Sequence, residues 1–371
     1  MKKVLFFIPN LMHGGAEKVL VNLLNNLDKT KYDITLQTIF DVGVNKKYLN
    51  KDIKYKYIFK KLFRGSTTLF KFCSPKFLYK YLIKEKYDIA VSYLEGPTAR
   101  IISGCPYEDS KKINWIHTEM KDFDKFSVGF RSEREAKMCY EKFDKIVCVS
   151  NTVKEKFLEI AEGNTCNIDV VYNTNETEQI LQKSKEKVED VSFNNKIINI
   201  CSVGKITQVK GYDRLARVHK KLIDEGLDHH IYILGIGEDE DKINKYIKEN
   251  NLQETYTLLG FKDNPYKYVS KCDLFVCSSY REGFSTAVTE SLVVGTPVVS
   301  TLCSGAQELL GYNNEYGLVV ENSEEGIYEG IKKLLEDREL LAYYKEKASE
   351  RGSFFSKEKT VKAVEDMIDS L

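Results

Sequence analysis

The chain has 371 residues, of which 42% are hydrophobic, and a formal net charge of +1. This length exceeds that of one ordinary domain and suffices for two domains, each with its own core. A net charge so close to zero excludes any argument about partners from bulk charge, so the local distribution of charge has to be examined instead.

The nine cysteines are odd in number and include no Cys-x2-Cys pair. This spacing argues against a disulfide framework and against a zinc site, and it favours reduced thiols in a cytoplasmic protein. The apolar run at residues 4–8 ends at Pro9 and predicts a first strand, because it is too short for a signal peptide. No segment approaches the roughly 18 apolar residues of a membrane-spanning helix.

The loop after this first strand contains the glycine pair Gly14 and Gly15. Leucine and valine residues at helical spacing follow, so the segment predicts a βα unit. Glycines permit backbone torsions and close approaches that other residues do not. A tight strand-to-helix turn explains the pair as readily as contact with a ligand does, and both interpretations stay open at this point.

Residues 46–86 combine a local excess of positive charge with many aromatic residues. The thirteen basic residues are Lys46, Lys47, Lys51, Lys54, Lys56, Lys60, Lys61, Arg64, Lys71, Lys76, Lys80, Lys84 and Lys86. Such a segment is typical of nucleic-acid binding, of attachment to an anionic membrane surface, or of a solvated face whose aromatic residues partly enter the core. Because no nucleic-acid motif accompanies it, we favour attachment to anionic lipid and expect no nucleic-acid partner.

Further strands of the first domain are predicted at residues 87–93, 113–116 and 145–149. His117 directly follows the second of these, which places it at the carboxyl edge of a parallel sheet, where ligands usually bind. A lone histidine is more often structural, so the position is only a candidate. Residues 174–195 are rich in Glu, Lys, Ser and Asn, and this composition predicts a linker between domains.

A second domain begins with the apolar strand at residues 197–203. The loop after it contains Gly204, Lys205 and Lys210, and a helix with apolar residues on one face follows. Two mobile lysine charges near a helix N-terminus suit a diphosphate.

The segment 273–300 predicts a strand, a glycine-containing turn, a helix and a second strand. The first N–H groups of such a helix present the positive end of its dipole, where an anion binds naturally. Ser285 and Thr286 suit this place because small hydroxylated residues let a phosphate approach the backbone. Glu282 lies at the turn, and Glu290 lies within the apolar helix on roughly the same side. A carboxylate there must reach solvent, pair with a cation, or face a polar ligand such as a ribose diol.

The stretch from Glu282 to Glu290, followed by Gly-Thr-Pro-Val-Val-Ser at 295–300, closely resembles the E-x7-E signature of family 4 retaining glycosyltransferases of the GT-B fold. Gly-Gly-Ala-Glu at 14–17 is similar to the N-terminal loop of that family. The loop with Lys205 and Lys210 is similar to its Gly-Arg-Leu…Lys-Gly motif, although lysine replaces the arginine. The resemblance covers most of the chain, with its strongest motifs in the second half.

The resemblance implies the α/β GT-B fold, with two Rossmann-like domains facing each other across a cleft. Four parts are then expected along the chain: an acceptor-binding domain at 1–173, a linker at 174–195, a nucleotide-sugar-binding domain at 196–356, and a C-terminal helix at 357–371 that crosses back to the first domain.

The resemblance also implies a substrate and residue roles. The donor would be a nucleotide diphosphate sugar, expected to be a UDP-sugar, used without a metal ion or other cofactor. The expected catalytic residues are His117, Glu282, Lys205 and Lys210. The expected donor-binding residues are Gly14, Gly15, Gly204, Lys205, Lys210, Phe261, Lys262, Gly283, Phe284, Ser285, Thr286 and Glu290. Among them, Glu282 would hold the sugar hydroxyls, Glu290 the ribose, and the backbone at 261–262 the base.

The predicted function is therefore retaining transfer of a hexose or N-acetylhexosamine to a hydroxyl of a glycan or lipid-linked acceptor in cell-surface polysaccharide assembly. The expected location is cytoplasmic, peripherally associated with the inner face of the cell membrane. Two alternatives remain. A non-hydrolysing nucleotide-sugar epimerase has a similar fold but needs further acid/base residues, for which no set is evident. A non-catalytic nucleotide-sugar-binding partner at the membrane would not require Glu282, Glu290, Lys210 and His117.

Overall fold

The computed structural model of the chain describes residues 1–12, 14–63, 65–161 and 167–371, except the side chains of Ser66 and Thr67. Arg64 of the basic segment and Cys166 lie outside the described residues. The eight described cysteines are free thiols. The chain divides into two compact units, Met1–Asn175 with Glu358–Leu371, and Glu176–Lys357.

The first unit is built on a parallel sheet, which has seven strands in the described residues. They are β1 (Lys2–Ile8), β2 (Tyr32–Phe40), β3 (Lys54–Phe59), β4 (Ile89–Ser92), β5 (Lys111–Ile116), β6 (Lys145–Cys148) and β7 (Ile168–Val170). Their order across the sheet is β3-β2-β1-β4-β5-β6-β7. The central strands are apolar runs because helices cover both faces of a parallel sheet.

The helices of this unit lie between the strands along the chain. They are α1 (Gly15–Asn26), α2 (Ser66–Lys71), α3 (Pro75–Leu82), α4 (Pro97–Ile102), α5 (Phe123–Phe126), α6 (Glu133–Tyr140) and α7 (Asn151–Ala161). Each helix that follows a strand and precedes the next parallel strand forms a crossover connection.

The second unit has its own parallel sheet, with six strands in the described residues. They are β8 (Ile198–Val203), β9 (His229–Leu234), β10 (Tyr256–Gly260), β11 (Leu274–Cys277), β12 (Val298–Thr301) and β13 (Leu318–Val320). Their order is β10-β9-β8-β11-β12-β13. The helices are α8 (Thr177–Ser184), α9 (Tyr212–Asp224), α10 (Glu240–Glu249), α11 (Tyr266–Val269), α12 (Thr286–Val293), α13 (Ala306–Leu310), α14 (Glu324–Glu336) and α15 (Arg338–Phe354).

The last helix, α16 (Lys357–Asp369), packs on the first sheet. The hydroxyl of Tyr32 donates to the Asp369 carboxylate over 2.9 Å, and the backbone N–H of Asp28 donates to Glu365 over 2.8 Å. The Lys2 ammonium donates to the Ile368 carbonyl over 3.0 Å. These bonds join the end of the chain to β1 and to the start of β2.

The segment 174–195, whose composition predicts a linker, carries α8 and packs on the second unit. Ile180 is buried together with Tyr266 and Val293. Tyr268 donates to both carboxylate oxygens of Asp190, over 2.7 and 2.9 Å. A buried apolar residue and hydrogen bonds to residues distant in the chain thus order a stretch that is polar in bulk.

In both sheets the strand order reverses at one strand, and this reversal marks the place where a ligand can bind. From β1 the chain moves outward to β2 and β3, whereas β4 and the later strands lie on the other side of β1. The second sheet repeats the pattern with β8 and β11. At such a switch point the loops after two adjacent strands separate and open a crevice at the carboxyl edge. The structure therefore confirms an α/β fold with two Rossmann-like domains.

In the part of the chain that the structure describes, no helix combines the length and the apolarity that a membrane span requires.

Candidate active site

An ion pair between Lys210 and Glu282 lies at the switch point of the second sheet. The Lys210 ammonium donates to Glu282 Oε1 over 2.7 Å, and the Ser279 hydroxyl donates to the same oxygen over 2.5 Å. The two charged side chains are 26% and 14% exposed. Burial disfavours the ammonium, but the carboxylate more than offsets this and raises the pKa of Lys210, so the side chain stays a cation. The pair joins the loop after β8 to the loop after β11.

The backbones of these two loops are also tied together. Gly211 has a φ of +65°, and a Cβ there would lie 2.2 Å from the Ser278 carbonyl oxygen, so only glycine fits. The Ser278 hydroxyl donates to the Lys210 carbonyl over 2.9 Å, and the Tyr280 N–H donates to the Val209 carbonyl over 2.8 Å. The backbone at Lys210 and at the residue before it is therefore fixed to the loop after β11.

Arg214, a residue that sequence reasoning missed, anchors the loop after β11 from beneath. Its side chain is buried, and its Nε and Nη2 donate to the Ser278 carbonyl over 2.9 and 2.7 Å. Nη2 also donates to Asn322 over 2.7 Å, and the guanidinium lies 3.8 Å from the ring centroid of Tyr280. The available signal was weak: an arginine in the first turn of the helix that follows Lys210.

Lys205 lies in the same loop as Lys210 but takes no part in the Lys210–Glu282 ion pair. Its side chain is exposed, and it makes no ion pair with the residues that the structure describes. Gly204, just before it, faces the Tyr212 hydroxyl, which would lie 2.8 Å from an added Cβ. Lys205 can therefore turn towards an anion without breaking a contact.

The N-terminus of α12 follows Glu282. The Ser285 hydroxyl caps this helix by accepting the Val288 N–H over 3.4 Å, and its own proton remains available to a ligand. Thr286, the first helical residue, is partly exposed. Phe284 packs against Phe355 and is buried, so its side chain belongs to the core.

Glu290 lies in the last half of α12 and is only 7% exposed, so the interpretation that it reaches bulk solvent is wrong. The Tyr266 hydroxyl donates to its Oε1 over 3.5 Å. Phe261 and Lys262 follow β10. The Phe261 ring is half exposed, whereas the Lys262 ammonium pairs with Asp190 over 2.6 Å. The structure thus gives Lys262 a structural partner, and its backbone is the part that a base could contact.

The candidates of the first domain lie at the carboxyl edge of the other sheet. Gly14 precedes α1 and faces Glu17, whose Oε2 would be 1.9 Å from an added Cβ; Gly15 begins the helix. His117 follows β5 and is buried beside the Tyr93 ring, with centroids 4.8 Å apart. Burial lowers the pKa of His117 to about 3, so its imidazole is neutral.

Glu95 is a second residue that sequence reasoning missed. It follows β4, the strand next to β1 at the switch point of the first sheet. Its carboxylate accepts the backbone N–H of His117 over 3.0 Å, and burial raises the pKa of Glu95. A carboxylate in the loop after a buried strand was the signal that could have found it.

Among the described residues, no cluster of three or more His, Cys, Asp or Glu side chains is arranged to hold a metal ion.

Comparisons with known proteins identify the family of the chain. The model of the family "Glycosyl transferases group 1" matches residues 183–351. A curated relative from Campylobacter jejuni, N-acetylgalactosamine-N,N'-diacetylbacillosaminyl-diphospho-undecaprenol 4-alpha-N-acetylgalactosaminyltransferase, is 32% identical, and the match covers 97% of each chain.

Two solved structures share the fold at low sequence identity. HepE of Anabaena, in complex with UDP and glucose, matches with a TM-score of 0.79 and 16% identity over 100% of both chains. A variant of S. aureus TarM, in complex with fondaparinux, alpha-GlcNAc-glycerol and UDP, matches with a TM-score of 0.75 and 16% identity over 98% of both chains. Similarity over nearly the whole length to a curated glycosyltransferase, together with the family match and the fold, shows that the chain belongs to the glycosyl transferases of group 1, with the GT-B fold.

Proposed function

We propose that the protein transfers a hexose or N-acetylhexosamine from a UDP-sugar, with retention of anomeric configuration, to a hydroxyl of a glycan or lipid-linked acceptor. The observation that carries this proposal is the Lys210–Glu282 pair at the switch point of the second sheet, directly before the N-terminus of α12. At one sheet edge, a cation and a helix N-terminus suit the diphosphate of such a donor, and a carboxylate that accepts hydrogen bonds suits the hydroxyls of its sugar.

The diphosphate would lie against positive charge that the protein itself supplies. As the bond to the sugar breaks, negative charge grows on the leaving phosphate, and preorganised donors that face this charge stabilise the transition state. Lys210 is fixed in place, Lys205 is free to approach, and the N–H groups that open α12 add their dipole. Because these groups can neutralise the leaving group, we propose that transfer requires no metal ion.

The remaining residues would position the sugar and the nucleoside. Glu282 would accept hydrogen bonds from the sugar hydroxyls, and Glu290 from the ribose diol, since a carboxylate accepts two donors at once. In the first domain, Gly14, Gly15 and His117 would contact the acceptor or the transferred sugar. The neutral imidazole of His117 can accept or donate one hydrogen bond to a sugar hydroxyl.

A lipid-linked acceptor is supported by the relative from C. jejuni, whose name describes transfer of N-acetylgalactosamine to a saccharide on diphospho-undecaprenol. The α linkage in that name is also what retention gives when the donor sugar is α-linked. An acceptor of this kind stays in the membrane, so the enzyme has to work at a membrane surface. We propose the cytoplasmic face, with peripheral attachment.

The basic segment offers a surface for such attachment. Four of its lysines are already paired, Lys46 with Asp41, Lys54 with Asp33, Lys56 with Glu85 and Lys86 with Asp109. On α3 and just after it, Lys76, Lys80 and Lys84 are exposed and form no ion pair with the described residues. Phe77 and Tyr81 of the same helix are also exposed, with stacked rings 6.0 Å apart. Exposed cations beside exposed aromatic rings suit an anionic bilayer.

Incubation with a panel of UDP-sugars, with and without lipid-linked saccharide, tests the enzymatic proposal. We expect UDP release that depends on the acceptor, and an anomeric proton of the product that shows retention by NMR. Conversion of one UDP-sugar into another without acceptor would identify an epimerase. Binding of a UDP-sugar without any turnover would identify a non-catalytic partner.

Vesicle cosedimentation tests the surface. We expect binding to phosphatidylglycerol vesicles that weakens with salt, and no binding to neutral vesicles. The triple variant Lys76→Glu, Lys80→Glu, Lys84→Glu should lose this binding. A control with the same change of charge, Lys248→Glu, Lys333→Glu, Lys345→Glu, alters exposed lysines of the second domain that form no ion pair with the described residues and should bind normally. Equal loss in both variants would show that only net charge matters.

A further inference from the structure

Glu95 occupies the switch point of the first sheet, where the loops after β1 and β4 diverge. Hydrogen bonds hold the loop that carries it. The Leu94 carbonyl accepts hydrogen bonds from Thr98 over 2.9 Å and from the Asn114 side chain over 3.1 Å. Gly96, which has a φ of +82°, ends the loop and begins α4. The Glu95 carboxylate is therefore presented by a backbone with little freedom to move.

Both oxygens of that carboxylate hold the loop after the neighbouring strand β5. Oε2 accepts the backbone N–H of His117 over 3.0 Å, and Oε1 accepts the hydroxyl of Thr118. Two hydrogen bonds to one side chain fix the backbone from which the imidazole projects. The carboxyl group that links the two loops is largely out of solvent, and a buried polar group is costly unless it is satisfied.

The imidazole of His117, by contrast, lacks a hydrogen bond at one of its nitrogens. Its Nε2 is buried and has no hydrogen-bond partner among the described residues. The ring contacts Tyr93, which packs on it but offers no directional bond at Nε2. A buried, unpartnered nitrogen at the carboxyl edge of a parallel sheet is suited to a hydroxyl of a ligand. The direction of that nitrogen then depends on the backbone that Glu95 holds.

We propose that Glu95 is a positioning residue of the transfer reaction, which fixes the backbone of His117 and Thr118 and thereby aims the unpartnered imidazole nitrogen at a hydroxyl of the transferred sugar. This inference rests on the proposed function for its substrate. It assigns to Glu95 no direct contact with either substrate, so its effect has to pass through His117.

Steady-state kinetics of four variants tests this. Glu95→Leu keeps the size of the side chain and removes both acceptors; we expect kcat to fall about 10- to 100-fold while the donor KM changes less than about twofold, because misplacement of a catalytic contact acts on the transition state. Glu95→Gln keeps an acceptor for the His117 N–H and should retain kcat within about threefold. Glu108→Leu removes an exposed carboxylate of the same domain and should behave like the wild type. The double variant Glu95→Leu, His117→Ala should be no slower than His117→Ala alone.

Two results would overturn the inference. Additive losses in the double variant would mean that Glu95 acts on its own, and a loss in Glu95→Gln as deep as in Glu95→Leu would mean that charge and not position matters. If Glu95→Leu fails to fold, Thr118→Val provides the test, because it removes the donor to Oε1 at an exposed position. We expect a several-fold fall in kcat; unchanged kcat there would equally count against the proposal.

NMR of the histidine rings separates this inference from the proposed function. The chain has five histidines, so the His117 signal can be assigned by its loss in His117→Ala. In the wild type this signal should not titrate between pH 8 and 5, because the ring is buried against Tyr93. In Glu95→Leu we expect its chemical shift to change, because the backbone that carries the ring is released, and in Glu108→Leu we expect it to stay unchanged. An unaltered signal in Glu95→Leu refutes the coupling even if no sugar is transferred, whereas a wild type that transfers no sugar refutes the function alone.

Discussion

Replacement of Lys210 by methionine isolates the charge at the centre of the candidate site. Methionine keeps an unbranched side chain of similar length, so the change removes little more than the ammonium. That ammonium lies 2.7 Å from Glu282, whose side chain is only 14% exposed. The variant therefore loses a cation for the diphosphate and leaves a largely buried carboxylate with the Ser279 hydroxyl and the Cys277 thiol as donors.

The two losses have different magnitudes and different readouts. A hydrogen bond between a lysine and a phosphate contributes about 1.5–3 kcal/mol, which corresponds to a fall of about 10- to 150-fold in kcat/KM. An under-satisfied buried carboxylate costs about 1–3 kcal/mol, which lowers the melting temperature of a domain of this size by on the order of 5 °C. Activity reports the first effect, and thermal unfolding reports the second.

A second substitution separates these effects. In the double variant Lys210→Met, Glu282→Gln the buried charge is gone, so the melting temperature should recover, while kcat/KM should stay low because no cation returns. Lys221→Met serves as control, since Lys221 pairs with Glu325 at the surface over 3.1 Å and an exposed pair contributes little. Wild-type kcat/KM in Lys210→Met, or rescue of activity by Glu282→Gln, would refute the assignment of Lys210 to the diphosphate.

Three further predictions concern the second domain. Glu290→Gln should raise the Kd of UDP about tenfold in calorimetry with kcat nearly unchanged, because a neutral amide is a weaker acceptor for a ribose diol; the reverse pattern would contradict the role. Arg214→Met should lower kcat/KM, since the buried guanidinium holds the Ser278 carbonyl; normal kinetics would count against it. Stability should fall as pH drops below about 6.5, because burial lowers the pKa of His219, to about 2, and that of His229, so the unfolded chain binds protons at these residues more readily than the folded protein. A urea midpoint that stays constant from pH 7.5 to 5.5 would exclude this linkage.

The sheets could be predicted from the sequence because buried parallel strands are continuous apolar runs. Residues 4–8 lie in β1 and residues 298–300 in β12, and all of 197–203 except Ile197 lies in β8. The structure begins β1 two residues earlier than the apolar run because the hydrogen-bond ladder extends to where the neighbouring strand offers a partner, as between Lys2 and Tyr32.

The contacts of the candidate site could not be predicted in the same way. Lys210 and Glu282 stand out as residue types in loops that follow strands, but they are 72 positions apart, and only the adjacency of β8 and β11 brings them together. Glu95 was missed for a related reason. Its partners are 22 and 23 positions away, across the pair formed by β4 and β5. The local sequence pattern predicts that such residues lie at a sheet edge. Their partners depend on the order of the strands, which the local pattern does not contain.

The Lys210–Glu282 pair also bears on how the enzyme would select its donor. In the free protein each charge satisfies the other, so a diphosphate that draws the ammonium towards itself weakens the bond on which Glu282 depends. The hydroxyls of a sugar can replace that bond, because they donate to a carboxylate. A nucleoside diphosphate without a sugar offers the phosphates but not the hydroxyls, and it would leave the 14% exposed carboxylate short of donors. If Lys210 and Glu282 have the proposed roles, a single ion pair would couple recognition of the phosphates to recognition of the sugar, and this coupling would favour the intact donor over the product that has to leave.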